Sequence, residues 1–302
     1  MLNKSQINSI HIEASTYCNA RCPQCPRNFN GWNILNTNEV HLDIEKLKLI
    51  VNQLPSDVMG LFNGNYGDPM MHPKITEMTK LFSYNNVIVV TNGSIGKLKT
   101  FEELAKQSVK VWFSIDGLED TNHIYRQDVS WDKLMQRVKH FINNGGTALW
   151  KFVIFKHNAH QVNEAETLSK KLGFKEFIVI NDNRNYGPIL NNNGKEIGWL
   201  LPHDEDKQPY VYDIDYELDL INNKFKLQNV YNDATINCKT LENKEIYMNV
   251  YGEILPCCFH GVNQHINSKG NTLQEMLDSF NWLKDTWGKN SCNETCYNTC
   301  KR

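Results

Sequence analysis

CNARCPQC, residues 18–25, places Cys18, Cys22 and Cys25 on one short stretch directly after the strand-like segment 10–14. The spacing C-x3-C-x2-C offers three thiolates from a single loop. Closed zinc sites and ordinary iron–sulfur clusters take four protein ligands. Three ligands therefore point to a metal centre that keeps one coordination position for a substrate or cofactor, with a zinc knuckle as the plainer alternative.

The rest of the chain sets the bounds. With 302 residues, 40% hydrophobic and 22% charged, it can bury a sizeable core in one large or two smaller domains. No stretch approaches the roughly 18 apolar residues of a membrane span, and the opening MLNKSQINSI lacks the apolar core of a signal peptide. A cytoplasmic protein without a membrane partner is expected. Nine cysteines, an odd number and clustered, suit metal binding in a reducing compartment better than a disulfide framework. A net charge of -2 supplies no basic field, so no nucleic-acid partner is expected.

Residues 1–182 alternate strand and helix signals. Strands are predicted at 10–14, 58–63, 87–91, 109–115, 149–155 and 176–181. Helices are predicted at 42–54, 73–84 with proline in the first turn, 101–107, 131–143, and 161–172 closed by Gly173. Such alternation favours a parallel sheet with right-handed crossovers, curled into a barrel or part of one. Functional groups then gather at the strand C-terminal ends, where the cysteine loop already stands. An open doubly wound sheet is the alternative.

Three further segments fall at successive strand ends. After the second strand comes Tyr66-Gly67-Asp68-Pro69, after the third Thr91-Asn92-Gly93, and at the fourth Ser114-Ile115-Asp116-Gly117, followed by His123 and Arg126. Together with the cysteines, their order resembles that of the radical S-adenosylmethionine (SAM) superfamily. The resemblance covers much of the first half of the chain. It implies a partial (β/α)6 TIM-type barrel and a [4Fe–4S] cluster on Cys18, Cys22 and Cys25 whose open iron binds SAM. It also implies a GGEP-like turn at Tyr66, Gly67 and Asp68 against the SAM amino group, with Ser114 and Arg126 toward its ribose and carboxylate. A guanidinium suits a carboxylate because it binds as a fork. The sequence departs from the pattern at Tyr66 for glycine, at Asp68 for glutamate and at Gln24, where many members carry an aromatic residue near the adenine. Tyr17 is a nearby aromatic, better read as packed core.

Past residue 182 the alternation stops. Residues 181–193 are rich in asparagine and read as a loop, and 202–209 are irregular, giving a linker or substrate-covering segment over 183–236. Cys238 is followed after thirteen residues by Gly252 and after four more by Cys257, across an alternating β-hairpin. A helix is predicted at 272–287 with Thr272 and Glu275 as a capping box, and Cys292, Cys296 and Cys300 follow. This C-x13-G-x4-C arrangement resembles the SPASM and Twitch extensions of radical SAM enzymes. The resemblance implies a cysteine-rich 237–302 domain with one auxiliary [4Fe–4S] cluster on Cys238, Cys257 and two of Cys292, Cys296 and Cys300. Cys258 is read as a buried spare, and zinc is the alternative metal.

The resemblance further implies reductive SAM cleavage, hydrogen abstraction and an oxidoreductase outcome. The expected substrate is a hydroxylated small molecule, and the electron donor is of flavodoxin or ferredoxin type. Only 17 residues precede Cys18, which argues for a small molecule over a peptide read by an N-terminal leader domain. A peptide-modifying maturase or epimerase is the alternative, and a non-catalytic zinc-stapled binding protein the remote one. Asp182, at the exit of the sixth strand with Asn181, Arg184 and Tyr186, is the candidate general base. His203, His260 and His265 receive no role.

Overall fold

The structure, a computed structural model, describes residues 2–29, 32–33, 39–181, 187–204, 236–259 and 268–281, with Cys296 and Cys300. The six predicted strands form as β1 (Ser9–Ile12), β2 (Met59–Phe62), β3 (Val87–Thr91), β4 (Lys110–Ser114), β5 (Thr147–Ile154) and β6 (Glu176–Asn181). Each pairs in parallel with the next. Every residue of β1 is buried, as a strand covered on both faces requires.

Helices α1 (Ile44–Val51), α2 (Ile75–Thr79), α3 (Leu98–Lys106), α4 (Asn122–Tyr125), α5 (Trp131–Asn143) and α6 (Val162–Leu172) lie between the strands. Local chemistry sets their ends. Asp43 caps α1, Ser130 caps α5, and Gly173 closes α6 in the left-handed conformation at φ 89°. The apolar spacing predicts a longer second helix, over 73–84. It stops early because the next turn is tied down elsewhere: Ser83 Oγ donates to the Ser56 carbonyl and Asn86 Nδ2 to the Asp57 carbonyl at 2.9 Å. Between helices and sheet lies a fully buried aromatic layer that includes Phe62, Phe101, Phe113, Phe141 and Trp150.

The predicted C-terminal hairpin forms as well, and its place is new. The hairpin is made of strands β9 (Glu245–Met248) and β10 (Ile254–Leu255). Strand β9 pairs in parallel with β1, on the side away from β2. The sheet order is β10-β9-β1-β2-β3-β4-β5-β6, so β1 is an interior strand, third from one edge. Gly252 turns the hairpin at φ 83°, a conformation glycine adopts without strain, and Lys46 of α1 donates to the Tyr251 carbonyl beside it. The Thr272–Glu275 capping box opens helix α8 (Leu273–Asp278), which buries Leu273 and Leu277; α7 (Lys239–Asn243) precedes β9. The architecture is a partial (β/α)6 barrel whose sheet is continued by the C-terminal hairpin.

One expectation needs correction. The loop predicted over 181–193 contains β7 (Gly187–Leu190), which pairs antiparallel with β8 (Glu196–Leu200). Asparagine richness hid a two-strand pattern. The Asn191 carboxamide accepts from the Asn193 and Lys195 N–H groups to make the turn, while Ile189 and Leu200 are buried.

Asn158 closes the mouth between β4 and β5. It is fully buried, donates to the carbonyls of Asp116 and Val153 at 2.9 and 3.0 Å, and accepts from the Phe155 N–H. Asn158→Ala orphans three buried backbone groups, and a loss of about 3 kcal/mol is expected in urea unfolding.

Candidate active site

The C-terminal ends of β1 to β5 surround a cavity of about 340 Å³, within the range of roughly 300–1,000 Å³ usual for small-molecule sites. Cys18, Cys22 and Cys25 all line it, with Gly67, Asp68, Ser114 and Arg126. The structure thus brings together in one space residues that the sequence places at three separate strand ends. Tyr66 is not among the lining residues. Its backbone is used instead: the N–H donates to Glu13 at 2.5 Å and the carbonyl accepts from Arg27 at 2.6 Å. Asp182 and Cys292 lie outside the described residues. Tyr17 stacks on His41 and does not line the cavity.

Cys22 is buried and the two flanking thiols are partly covered. Burial, followed by the charge of Cys22, pushes the Cys25 thiol up to about 11; burial likewise raises that of Cys18. Deprotonating these neighbouring buried thiols would need cationic compensation, of the kind a bound metal centre would supply. Two guanidinium groups contribute more. Arg126 Nη1 stands 3.5 Å from Cys22 Sγ, and buried Arg27 pairs with Glu39 while donating to the Thr16 and Tyr66 carbonyls. Among the described residues, no three of the His, Cys, Asp and Glu side chains converge on a point where one metal ion would sit. Three thiols on one loop are a donor set that suits a [4Fe–4S] cluster, in which each would bind a separate iron.

The strand-end segments have distinct physical tasks. Gly67 packs so tightly that an added Cβ would lie 1.9 Å from the Ser15 carbonyl oxygen. The buried Asp68 carboxylate accepts from Thr91 Oγ1 at 2.8 and 2.9 Å, and from the Asn92 and Met70 N–H groups. Its side chain joins the turn after β2 to the end of β3. Asn92 in turn reaches back toward Cys18 Sγ at 3.8 Å. Fully buried Asp116 accepts from Arg126 Nε at 2.6 Å and from the Val153 N–H at 2.6 Å, and so aims the guanidinium.

Sequence reasoning missed Glu13, Arg27, Asn65 and Lys151. Glu13 and Lys151 carried a usable signal, being charged residues within apolar strand patterns. Lys151 projects from β5 into the cavity beside Ser114, with which it is in register. Cys258, read as a spare, lines the same cavity.

At the second cysteine cluster, Cys238 caps α7 and Cys257 follows β10. The Asn237 N–H donates to the Cys300 carbonyl at 3.1 Å, which brings the Cys300 segment beside Cys238.

No family model matches the chain, and no curated protein matches it in sequence. Solved structures match in fold. SuiB of Streptococcus suis bound to S-adenosylmethionine is 17% identical, with a TM-score of 0.57 over 97% of this chain and 70% of that one. A histidine-tagged form of anSMEcpe with bound AdoMet is 16% identical, with a TM-score of 0.58 over 97% and 79%. Native anSMEcpe with AdoMet and the Cp18Cys peptide is 17% identical, with a TM-score of 0.57 over 97% and 82%. The chain shares the partial-barrel fold of these SAM-bound proteins. Among the described residues, no helix is long and apolar enough to cross a membrane.

Two glycine substitutions test the packing of the turn. Gly67→Ala should cost about 3 kcal/mol in urea unfolding, through overpacking against Ser15. Gly198→Ala, with nothing within 4 Å of the new methyl, should change stability by less than about 0.5 kcal/mol.

Proposed function

We propose that the chain is a radical SAM enzyme that carries a [4Fe–4S] cluster on Cys18, Cys22 and Cys25, cleaves SAM reductively and abstracts a substrate hydrogen. The observation that carries this reading is the convergence of the three thiols with Gly67, Ser114 and Arg126 in one cavity, in a fold shared with SAM-bound proteins. When bound, the cluster and SAM supply an electron and a 5′-deoxyadenosyl radical able to take hydrogen from an unactivated carbon.

The chain's own residues bind, orient and shield. Arg126, held at Nε by Asp116, keeps its remaining N–H edge toward Cys22 and the cavity, where it suits the SAM carboxylate. Ser114, at the end of β4, offers a hydroxyl to the ribose. Gly67 leaves room for close backbone approach to the amino group. Ala20, Pro26, Val90 and Val153 form apolar wall that limits water at the reacting carbon.

The same reading assigns residues 1–182 to the barrel, 183–236 to a substrate-covering segment and 237–302 to a Twitch-type domain. That domain would hold one auxiliary [4Fe–4S] cluster on Cys238, Cys257 and two of Cys292, Cys296 and Cys300. Electrons come from a flavodoxin- or ferredoxin-type donor, and Asp182 is the proposed base in an oxidation of a hydroxylated small molecule. A specific observation favours the alternative, peptide modification. SuiB has been solved bound to the precursor peptide SuiA, and anSMEcpe with the Cp18Cys peptide.

Anaerobic reconstitution should give about eight irons per chain, and a strong reductant with SAM should release 5′-deoxyadenosine and methionine. Replacing Cys18, Cys22 and Cys25 by alanine together should abolish release and leave about four irons. Zinc without SAM cleavage refutes the assignment.

A further inference from the structure

Asn65 does more than line the cavity, because it touches both cysteine regions. Its backbone carbonyl lies 3.7 Å from Cys25 Sγ. Its side-chain amide donates 2.9 Å to the carbonyl of Cys258, the residue after Cys257, and reaches Tyr247 Oη at 3.4 Å. Behind it, Glu13 and Tyr247 are each only 1% exposed. The Tyr247 hydroxyl donates to Glu13 Oε2, and Glu13 Oε1 accepts from the Tyr66 N–H, with the Asn65 and Gly67 backbone also facing that carboxyl.

This bracket spans the chain. Glu13 directly follows β1, and its N–H donates to Met248 of β9 at 2.9 Å. Tyr247 belongs to β9 and packs edge-on against His11. Polar groups buried to this degree hold their partners stiffly, since a broken bond leaves a desolvated donor or acceptor. A shift of the Cys257–Cys258 segment is therefore transmitted to the turn that bounds the cavity. Movement of residues 65–67 would strip Glu13 of its backbone donors and leave it the Tyr247 hydroxyl.

We propose that Asn65, backed by the Glu13–Tyr247 pair, is a positioning residue that couples the Cys257–Cys258 segment to the SAM cavity, so that ligation at Cys257 raises affinity for SAM. The inference rests on the reading of the cavity as a SAM site and of Cys257 as a cluster ligand. It assigns Asn65 no contact with SAM; the residue acts through the turn it holds.

The test uses the full, reconstituted chain with SAM as the probe. SAM affinity is measured by equilibrium dialysis, and SAM contact by the change it causes in the electron paramagnetic resonance signal of the reduced N-terminal cluster. Asn65→Ala and Tyr247→Phe should each weaken SAM binding roughly tenfold, the effect of one lost buried hydrogen bond, and shrink the spectral change at a fixed SAM concentration. Asn65→Gln, which keeps a donor, should recover part of the affinity. Cys257→Ser should weaken SAM binding in the wild-type background and have little further effect in Asn65→Ala, a non-additivity that a merely destabilising change does not produce. Variants that bind SAM as tightly as wild type, or effects of Cys257→Ser and Asn65→Ala that simply add, overturn the coupling. Tyr247→Phe keeps the ring against His11, so the result stands even if Asn65→Ala fails to fold. A wild-type chain that takes no SAM overturns the cavity reading and this inference together, whereas tight wild-type binding beside unaffected variants overturns the inference alone.

Discussion

The buried Asp116 carboxylate is the constraint on which the mouth of the barrel depends. It cannot be left desolvated and alone, so it draws Arg126 in from α4 and the Val153 N–H from β5. With Asn122 accepting from its backbone N–H and Asn158 donating to its carbonyl, it joins the exits of β4 and β5 to the helix between them. Arg126 thereby reaches Cys22, on a loop more than a hundred residues earlier. Asp68 does the same service between β2 and β3, and Glu13 between β1 and β9. In each case a buried carboxylate ties neighbouring segments of the cavity wall together.

Much of this was legible because the barrel repeats a local rule. Apolar strand, polar turn and amphipathic helix recur from residue 9 to residue 181, and the helix capped by Ser130 and the one closed by Gly173 end where their residues dictate. The cysteine loop and the turns at Gly67, Asn92 and Ser114 could be placed because strand ends in a parallel barrel share one face. What short-range pattern could not convey was pairing across long distances. Nothing in the alternation around Tyr251 says that β9 will lie beside β1, and nothing in the Asp68 turn says that its carboxylate will bind Thr91. The hairpin of β7 and β8 was hidden by the composition of its turn, although Ile189 and Leu200 follow the usual inward alternation.

The two cysteine regions also change in meaning. In sequence they are separate sets, one at 18–25 and the other from 238 onward. In the fold Cys258 lines the cavity of the first set, and one asparagine contacts both. The C-terminal hairpin is joined to the barrel sheet along a strand, through the parallel pairing of β9 with β1.

The parallel pairing of β1 with β9 has a consequence for how the molecule is made. Ser9 and Glu245 share register across 236 positions of chain, so this contact closes a very long loop and ranks among the slowest to form. As the chain leaves the ribosome, β1 can meet β2 early, but its other edge stays bare until residues 245–248 emerge. During that interval the loop carrying Cys18, Cys22 and Cys25 hangs from a strand with one open side, and Glu13 has not yet met Tyr247. Assembly of the barrel therefore finishes at the strand where it began.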